Sequence, residues 1–327
     1  AVLVELAAGY LKIVSLSYVP TALALGISMV FRNIGLAKLP LHITLLGIVV
    51  NVGLSFCLIF GYLGFPELGI NGAAVSIVIS KLLEMALFVY FLYAKHRRYA
   101  PRLGDLFRMD RRFLRSFSKV SAPVIFNEAI WGVGVALYSI VYFNMGYTVG
   151  AAAGIAKVLQ QLLIAFLIGA GYAAAIILGQ KLGEGNKAEA VKLSRKMAAY
   201  TSLGGIGLGL ILAASIPLFL MLYQGISPEV KRAVINILIY DAIIIPLKGA
   251  NFIHIMGTLR AGGDTFMCMI IDNLSLWCVS LPLTFLFGYF LDFGIGLVYL
   301  FVLLDDVAKF FIIRWRIRSG AWIHNLL

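Results

Sequence analysis

The sequence predicts an all-α, polytopic membrane protein of about nine transmembrane helices, and three observations carry that prediction. Of the 327 residues 61% are hydrophobic and only 13% charged, with a mean hydropathy of +0.97, whereas a soluble domain is roughly half apolar and about a quarter charged. The apolar residues fall into nine runs, each long enough for the roughly 20 residues that cross a bilayer. Lys and Arg collect on alternate connections between those runs, as the positive-inside rule demands. The net charge of +12 is thereby assigned to membrane orientation, and no nucleic-acid partner is inferred. Cys57, Cys268 and Cys278 lie inside apolar runs without metal-ligand spacing, so neither a metal nor a disulfide framework is expected.

The runs are 3–31, 41–63, 69–94, 118–143, 150–179, 198–223, 233–258, 266–289 and 293–313. The first carries Glu5 and Lys12 near one mouth and Pro20 inside it; the second holds Asn51 and Ser55. The third holds Lys81 and Glu84, an i,i+3 pair that neutralises itself on one helix face. From Lys95 to Lys119 come nine Lys or Arg against Asp105 and Asp110. The fourth run contains Pro123, Glu128, Trp131 and Tyr138. The fifth contains Lys157 and Gly169-Ala170-Gly171, and the sixth contains Gly204-Gly205-Ile206-Gly207 and Pro217; small residues at such spacing let helices approach closely in lipid. The seventh contains Asp241, Pro246, Lys248, Asn251 and His254, the eighth Pro282, and the ninth a second i,i+3 pair, Asp306 and Lys309. At Leu-Gly-Glu-Gly-Asn (182–186) and Gly-Gly-Asp-Thr (262–265) a helix must stop, glycine supplying positive φ and Asn, Asp or Thr capping the next helix.

The basic connections 95–119 and 181–196, with Arg314, Arg316 and Arg318, place one side and the C-terminus in the cytoplasm. An internal repeat accompanies this topology. Phe31-Arg32-Asn33-Ile34-Gly35 recurs as Leu259-Arg260-Ala261-Gly262-Gly263, Ile59-Phe60-Gly61-Tyr62 as Leu286-Phe287-Gly288-Tyr289, and Gly69-Ile70 as Gly294-Ile295. Spans one to three thus match spans seven to nine in the same membrane direction, a parallel transporter-type repeat. Three spans precede the second copy and none the first, so the expectation is that three helices, roughly 100 residues, are absent from the first half.

Three motifs in order resemble the multidrug and toxic compound extrusion (MATE) family. They are Phe65-Pro66-Glu67-Leu68-Gly69-Ile70-Asn71-Gly72-Ala73-Ala74, Gly179-Gln180-Lys181-Leu182-Gly183-Glu184-Gly185-Asn186, and Leu259-Arg260-Ala261-Gly262-Gly263-Asp264-Thr265. The resemblance implies a two-lobe bundle, V-shaped, with residues 1–95 as an incomplete N-terminal lobe (the family's helices four to six). Residues 96–117 would be a basic cytoplasmic linker and 118–327 the C-terminal lobe (helices seven to twelve). It further implies a secondary antiporter rather than an enzyme: multi-pass in the cell membrane, monomeric and without cofactor. Such a protein exports small amphipathic organic cations in exchange for H+ or Na+ by alternating access.

Ionisable groups at membrane depth are costly and mark function. Glu128 lies in Pro123-Val124-Ile125-Phe126-Asn127-Glu128, which resembles the family's acidic seventh-helix segment, while Lys248 occupies the tenth-helix position where the sodium-coupled branch has Asp. A lysine there removes the negative field a sodium ion needs, which favours a proton as coupling ion. Counting residues from the helix ends puts Glu128 level with Lys248 and Lys157 level with Asp241, so two pairs are expected. Glu128, Lys248, Asp241, Lys157 and Asn51 are the candidate coupling or substrate residues, and Trp131, Tyr138, Asn251 and His254 the candidate cavity residues. A lipid-linked oligosaccharide flippase would want a cavity rich in Arg or Lys, and an intramembrane enzyme would want a Ser–base set or HExxH, which the sequence lacks. An inactive, truncated transporter is the remaining alternative.

Overall fold

The computed structural model describes residues 2–101, 104, 110–223, 225–291 and 293–323. It is helical and divides into two compact units, Ala1–Met109 and Asp110–Leu327. Residues 102, 103 and 105–109 of the expected basic linker, and Asp292 of the last predicted turn, lie outside the described residues.

The first unit holds α1 (Val2–Ser15), α2 (Tyr18–Asn33), α3 (Lys38–Phe60) and α4 (Ile70–Lys95). The single span expected over 3–31 is instead a pair bent by 43°. Pro20 has no N–H for the Leu16 carbonyl, and Ser17 Oγ donates to the Val14 carbonyl at 2.7 Å, a side-chain bond that competes with the helical ladder and bends it. α4 is the hub, touching α1, α2 and α3, and Phe31, Ile43, Phe88 and Leu92 close its core.

The second unit holds α5 (Arg111–Asn144), α6 (Tyr147–Gly183), α7 (Lys187–Met221), α8 (Pro228–Leu259), α9 (Thr265–Phe290) and α10 (Ile295–Arg318). α7 starts eleven residues before the run at 198 because Asn186 caps it: its Oδ1 accepts the Glu189 N–H at 3.1 Å while its Nδ2 donates to Glu189 Oε2 at 2.7 Å. Ser227 Oγ caps α8 by accepting the Val230 N–H at 3.3 Å, with Pro228 in the first turn, where the missing N–H costs nothing. Among the described residues seven helices are long and apolar enough to cross a membrane, or eight with the bent pair counted as one span. α10, the ninth expected span, has the length but carries Asp305, Asp306 and Lys309 in its middle.

The two repeat copies share one local geometry. After α2 the Gly35 N–H bonds the Arg32 carbonyl at 3.1 Å and the Leu36 N–H bonds that of Phe31 at 2.9 Å; after α8, Gly263 bonds Arg260 at 3.1 Å and Asp264 bonds Leu259 at 2.9 Å. Gly35 and Gly263 sit at φ +84° and +83°, the left-handed helix stop that favours glycine.

α8 is the centre of the unit, packed on α6, α7 and α10. Of the small residues expected at close approaches, Gly171 and Gly205 are used. A Cβ on Gly171 would lie 3.2 Å from the Phe252 carbonyl oxygen, and one on Gly205 2.8 Å from Pro246 Cα. Gly169, Gly204 and Gly207 face open space instead. Gly209, which the motif reading omitted, faces the Ala242 carbonyl.

Candidate functional site

Two charged networks meet on α10, and both lie within the second unit. In the first, Asp241 of α8 is 3% exposed at its side chain and is held from three helices. Lys248 lies seven residues further along α8, hence on the same face after two turns, and its Nζ donates to Asp241 Oδ1 at 2.8 Å. Tyr299 of α10 donates its hydroxyl to Oδ2 at 2.7 Å. Gln160 of α6 donates to both Asp241 Oδ2 and, at 2.8 Å, the Tyr299 oxygen. Lys248 also faces Asp306 Oδ2 at 3.8 Å, and Asn251 Nδ2 donates to the Asp306 carbonyl at 2.8 Å.

In the second network Lys309, 9% exposed at its side chain, bridges Asp305 Oδ2 at 2.7 Å and Asp272 Oδ1 at 3.3 Å. Asn127 of α5 donates to Asp272 Oδ2 at 3.0 Å and accepts from Asn273 Nδ2 at 2.9 Å. The adjacent residues Asp305 and Asp306 thus send one carboxylate to each lysine. Burying an ion costs several kcal/mol unless it is paired and hydrogen-bonded, which is why every aspartate here has a charged or amide partner.

Gln160, Lys248, Tyr299, Asp305, Asp306 and Lys309 of these networks border a cavity of about 620 Å³. α5 lines it with Trp131, Tyr138 and Tyr142, α6 with Lys157, Gln160 and Gln161, α8 with Lys248 and Phe252, and α10 with Asp305, Asp306 and Lys309. Tyr138 is anchored by a 2.6 Å bond to Ser280 Oγ, which in turn reaches the Phe301 carbonyl at 2.9 Å. The wall is aromatic and apolar apart from these groups, which suits flat amphipathic ligands.

The expected pairings are corrected. Glu128 pairs not with Lys248 but with Arg260 Nη2 at 3.1 Å, and its side chain is 55% exposed. Lys157 lines the cavity and makes no ion pair among the described residues; Asp241 takes Lys248 in its place. Matching depths along the helices ignored the direction each side chain points around them. Lys309 bonds Asp305 at i−4 rather than Asp306 at i−3, whereas the Lys81–Glu84 pair forms as expected at 3.0 Å. Asn51 belongs to the first unit, where its Nδ2 donates to Ser80 Oγ at 3.3 Å. Trp131 and Tyr138 line the cavity; Asn251 is buried against Asp306, and His254 Nδ1 lies 3.4 Å from Thr258 Oγ1. Asp272, Asp305, Asn127, Gln160 and Tyr299 escaped the sequence reading. Asp272 carried a usable signal as an acid deep inside an apolar run.

An exposed ion pair contributes about 0–1 kcal/mol, so Glu128→Gln is expected to lower thermal stability by less than about 1 kcal/mol in a melting experiment. A larger drop would mean the Glu128–Arg260 pair is shielded from solvent in the membrane.

No family model matches the chain. Among curated proteins it is 30% identical over 329 residues to a probable multidrug resistance protein NorM of Rhizobium meliloti, covering 95% of this chain and 68% of that one. It is 26% identical over 314 residues to an uncharacterized transporter, YisQ, of Bacillus subtilis, covering 93% and 66%. The chain therefore spans about two thirds of the length of the curated relatives it matches. Among solved structures it resembles a MATE protein in its straight conformation, with a TM-score of 0.85 at 18% identity over 98% of this chain and 72% of that one. A mutant of the Vibrio cholerae MATE transporter VcmN gives 0.82 at 18% identity over 97% and 70%. At such identity the likeness is one of fold.

Proposed function

The chain belongs to the multidrug and toxic compound extrusion (MATE) family of membrane transporters, and from that premise we propose that it exports small amphipathic organic cations by exchange for protons. Substrate enters the cavity of the second unit, and the exchange occurs at the aspartate–lysine networks beside it. One observation carries this reading: the networks hold four carboxylates, Asp241, Asp272, Asp305 and Asp306, against two ammonium groups, Lys248 and Lys309. In a medium of low dielectric the surplus negative charge calls for compensation. A proton or a ligand cation supplies it equally well, so each displaces the other. Protonation from the outside ejects the cargo, and arrival of cargo from the inside releases the proton.

Sodium fits less well, because the carboxylates face ammonium, hydroxyl and amide donors that weaken the negative field. Glu128, salt-bridged and half exposed, is outside this exchange. In this reading the protein works as a multi-pass monomer of the cell membrane without a cofactor, and Arg314, Arg316 and Arg318 hold its C-terminal end in the cytoplasm.

The test is Asp306→Asn, which keeps the shape and the backbone carbonyl that Asn251 contacts but removes one charge. In proteoliposomes with an imposed pH gradient, efflux of a lipophilic dye cation is expected to fall at least about tenfold, the equivalent of 1.4 kcal/mol. Efflux at the unsubstituted rate would remove the networks from the cycle.

A further inference from the structure

One cation of the cavity is left over by the exchange just described. Lys157 stands on the face of α6 formed by Gly150, Ala153, Gly154, Lys157, Gln161 and Ile164, all of which line the cavity at the i,i+3 and i,i+4 spacing of neighbours on one helix surface. One turn below Lys157 that face is reduced to Ala153 and Gly154, and a Cβ on Gly154 would meet nothing within 4 Å, so room exists there, whereas the Phe143 ring covers Gly150. Gln161, one turn on, adds an amide. Lys248 and Lys309 each sit against two carboxylates; Lys157 pairs with none among the described residues, and its side chain is exposed into the cavity. About 15 Å along its helix from Tyr147, a lysine at this depth is retained at considerable cost. Among the described residues it caps no helix and bridges no ion pair.

The cavity is therefore bipolar, with surplus carboxylate on α10 and an unmatched ammonium on α6. Resting on the transport reading above, we propose that Lys157 is a specificity-determining residue of the cavity: with help from Gln161 its ammonium holds a carboxylate of the cargo, while a cationic group of the same cargo compensates Asp305 and Asp306. Neutral spacing between the two ends lies along the aromatic wall of Tyr138 and Tyr142. A purely cationic ligand gains the acidic end but is repelled by Lys157, so the lysine acts as a selectivity element.

The experiment compares two dyes that differ in a single group, a rhodamine with a free carboxylate and the same rhodamine as its methyl ester. Binding is followed by fluorescence anisotropy with the purified protein in nanodiscs of phosphatidylcholine, which carries no net charge. Lys157→Gln is expected to weaken the carboxylate dye about tenfold, the scale of one charge-assisted pair, and to leave the ester tighter or equal. Lys157→Arg is expected to keep the preference for the carboxylate. Far-UV circular dichroism and the melting temperature check that both variants fold. If Lys157→Gln moves both dyes alike, or neither, the anionic subsite is wrong while the cation-binding reading stands. If the unsubstituted protein binds neither dye, both readings fall together.

Discussion

Lys309→Met is expected to destabilise the protein by about 3–5 kcal/mol, the cost of leaving buried charge without its partner. Its Nζ lies 2.7 Å from Asp305 and 3.3 Å from Asp272, and the residue is 7% exposed. Methionine is one atom shorter and uncharged, and it leaves two carboxylates, of which Asp305 keeps no hydrogen-bond donor among the described residues, since Asn127 reaches only Asp272. Thermal unfolding in detergent or nanodiscs measures the loss. Adding Asp272→Asn and Asp305→Asn to the same protein is expected to recover most of it, because a buried ion set replaced whole by neutral groups is close to neutral in energy. A loss no greater than that of Glu128→Gln would show that water reaches Lys309 freely and that burial does not govern the network. The contrast is diagnostic, since both are Lys or Arg to carboxylate contacts near 3 Å and differ chiefly in exposure.

Gly209→Leu is expected to separate α7 from α8 and to destabilise by about 3 kcal/mol or more, at or above the upper end for overpacked sites. A Cβ on Gly209 meets the Ala242 carbonyl, with the Ala242 carbonyl carbon 3.2 Å away. Backbone cannot yield by rotating a side chain, so the whole helix must shift. Asp241 is the residue before Ala242, and the shift would disturb its bonds to Lys248, Tyr299 and Gln160 as well. Gly207→Leu, two residues away and facing open space, is the control and is expected to change the melting temperature little. Equal melting temperatures for the two variants would place the α7–α8 contact elsewhere.

How legible the molecule was depends on the range of the interaction. The helix stops at Gly35 and Gly263, the caps at Asn186 and Ser227, and the pair Lys81–Glu84 are formed by residues within five positions of each other, and such contacts follow from backbone chemistry alone. The bend after Ser15 was equally local, with Pro20 in view, yet the apolar run hid it. The site was legible as a set of charges at membrane depth and illegible as a set of pairs. Asp241 and Lys248 are seven residues apart, a spacing that returns to the same helix face, so that pair was readable in principle. Lys309–Asp272, Asn127–Asp272 and Gln160–Asp241 join different helices and were not.

The sequence by itself determined that this chain lives in lipid, where several of its helices are capped or stopped, that two of its stretches repeat, and that costly charges lie inside the apolar runs. Each follows from composition or from neighbours along the backbone. Only the tertiary structure decided which charges meet, since the rotation of each helix about its axis is set by packing, such as Gly205 against Pro246 and Gly209 against Ala242. That rotation gave Tyr299 and Gln160 to Asp241, Arg260 to Glu128 and an open cavity to Lys157.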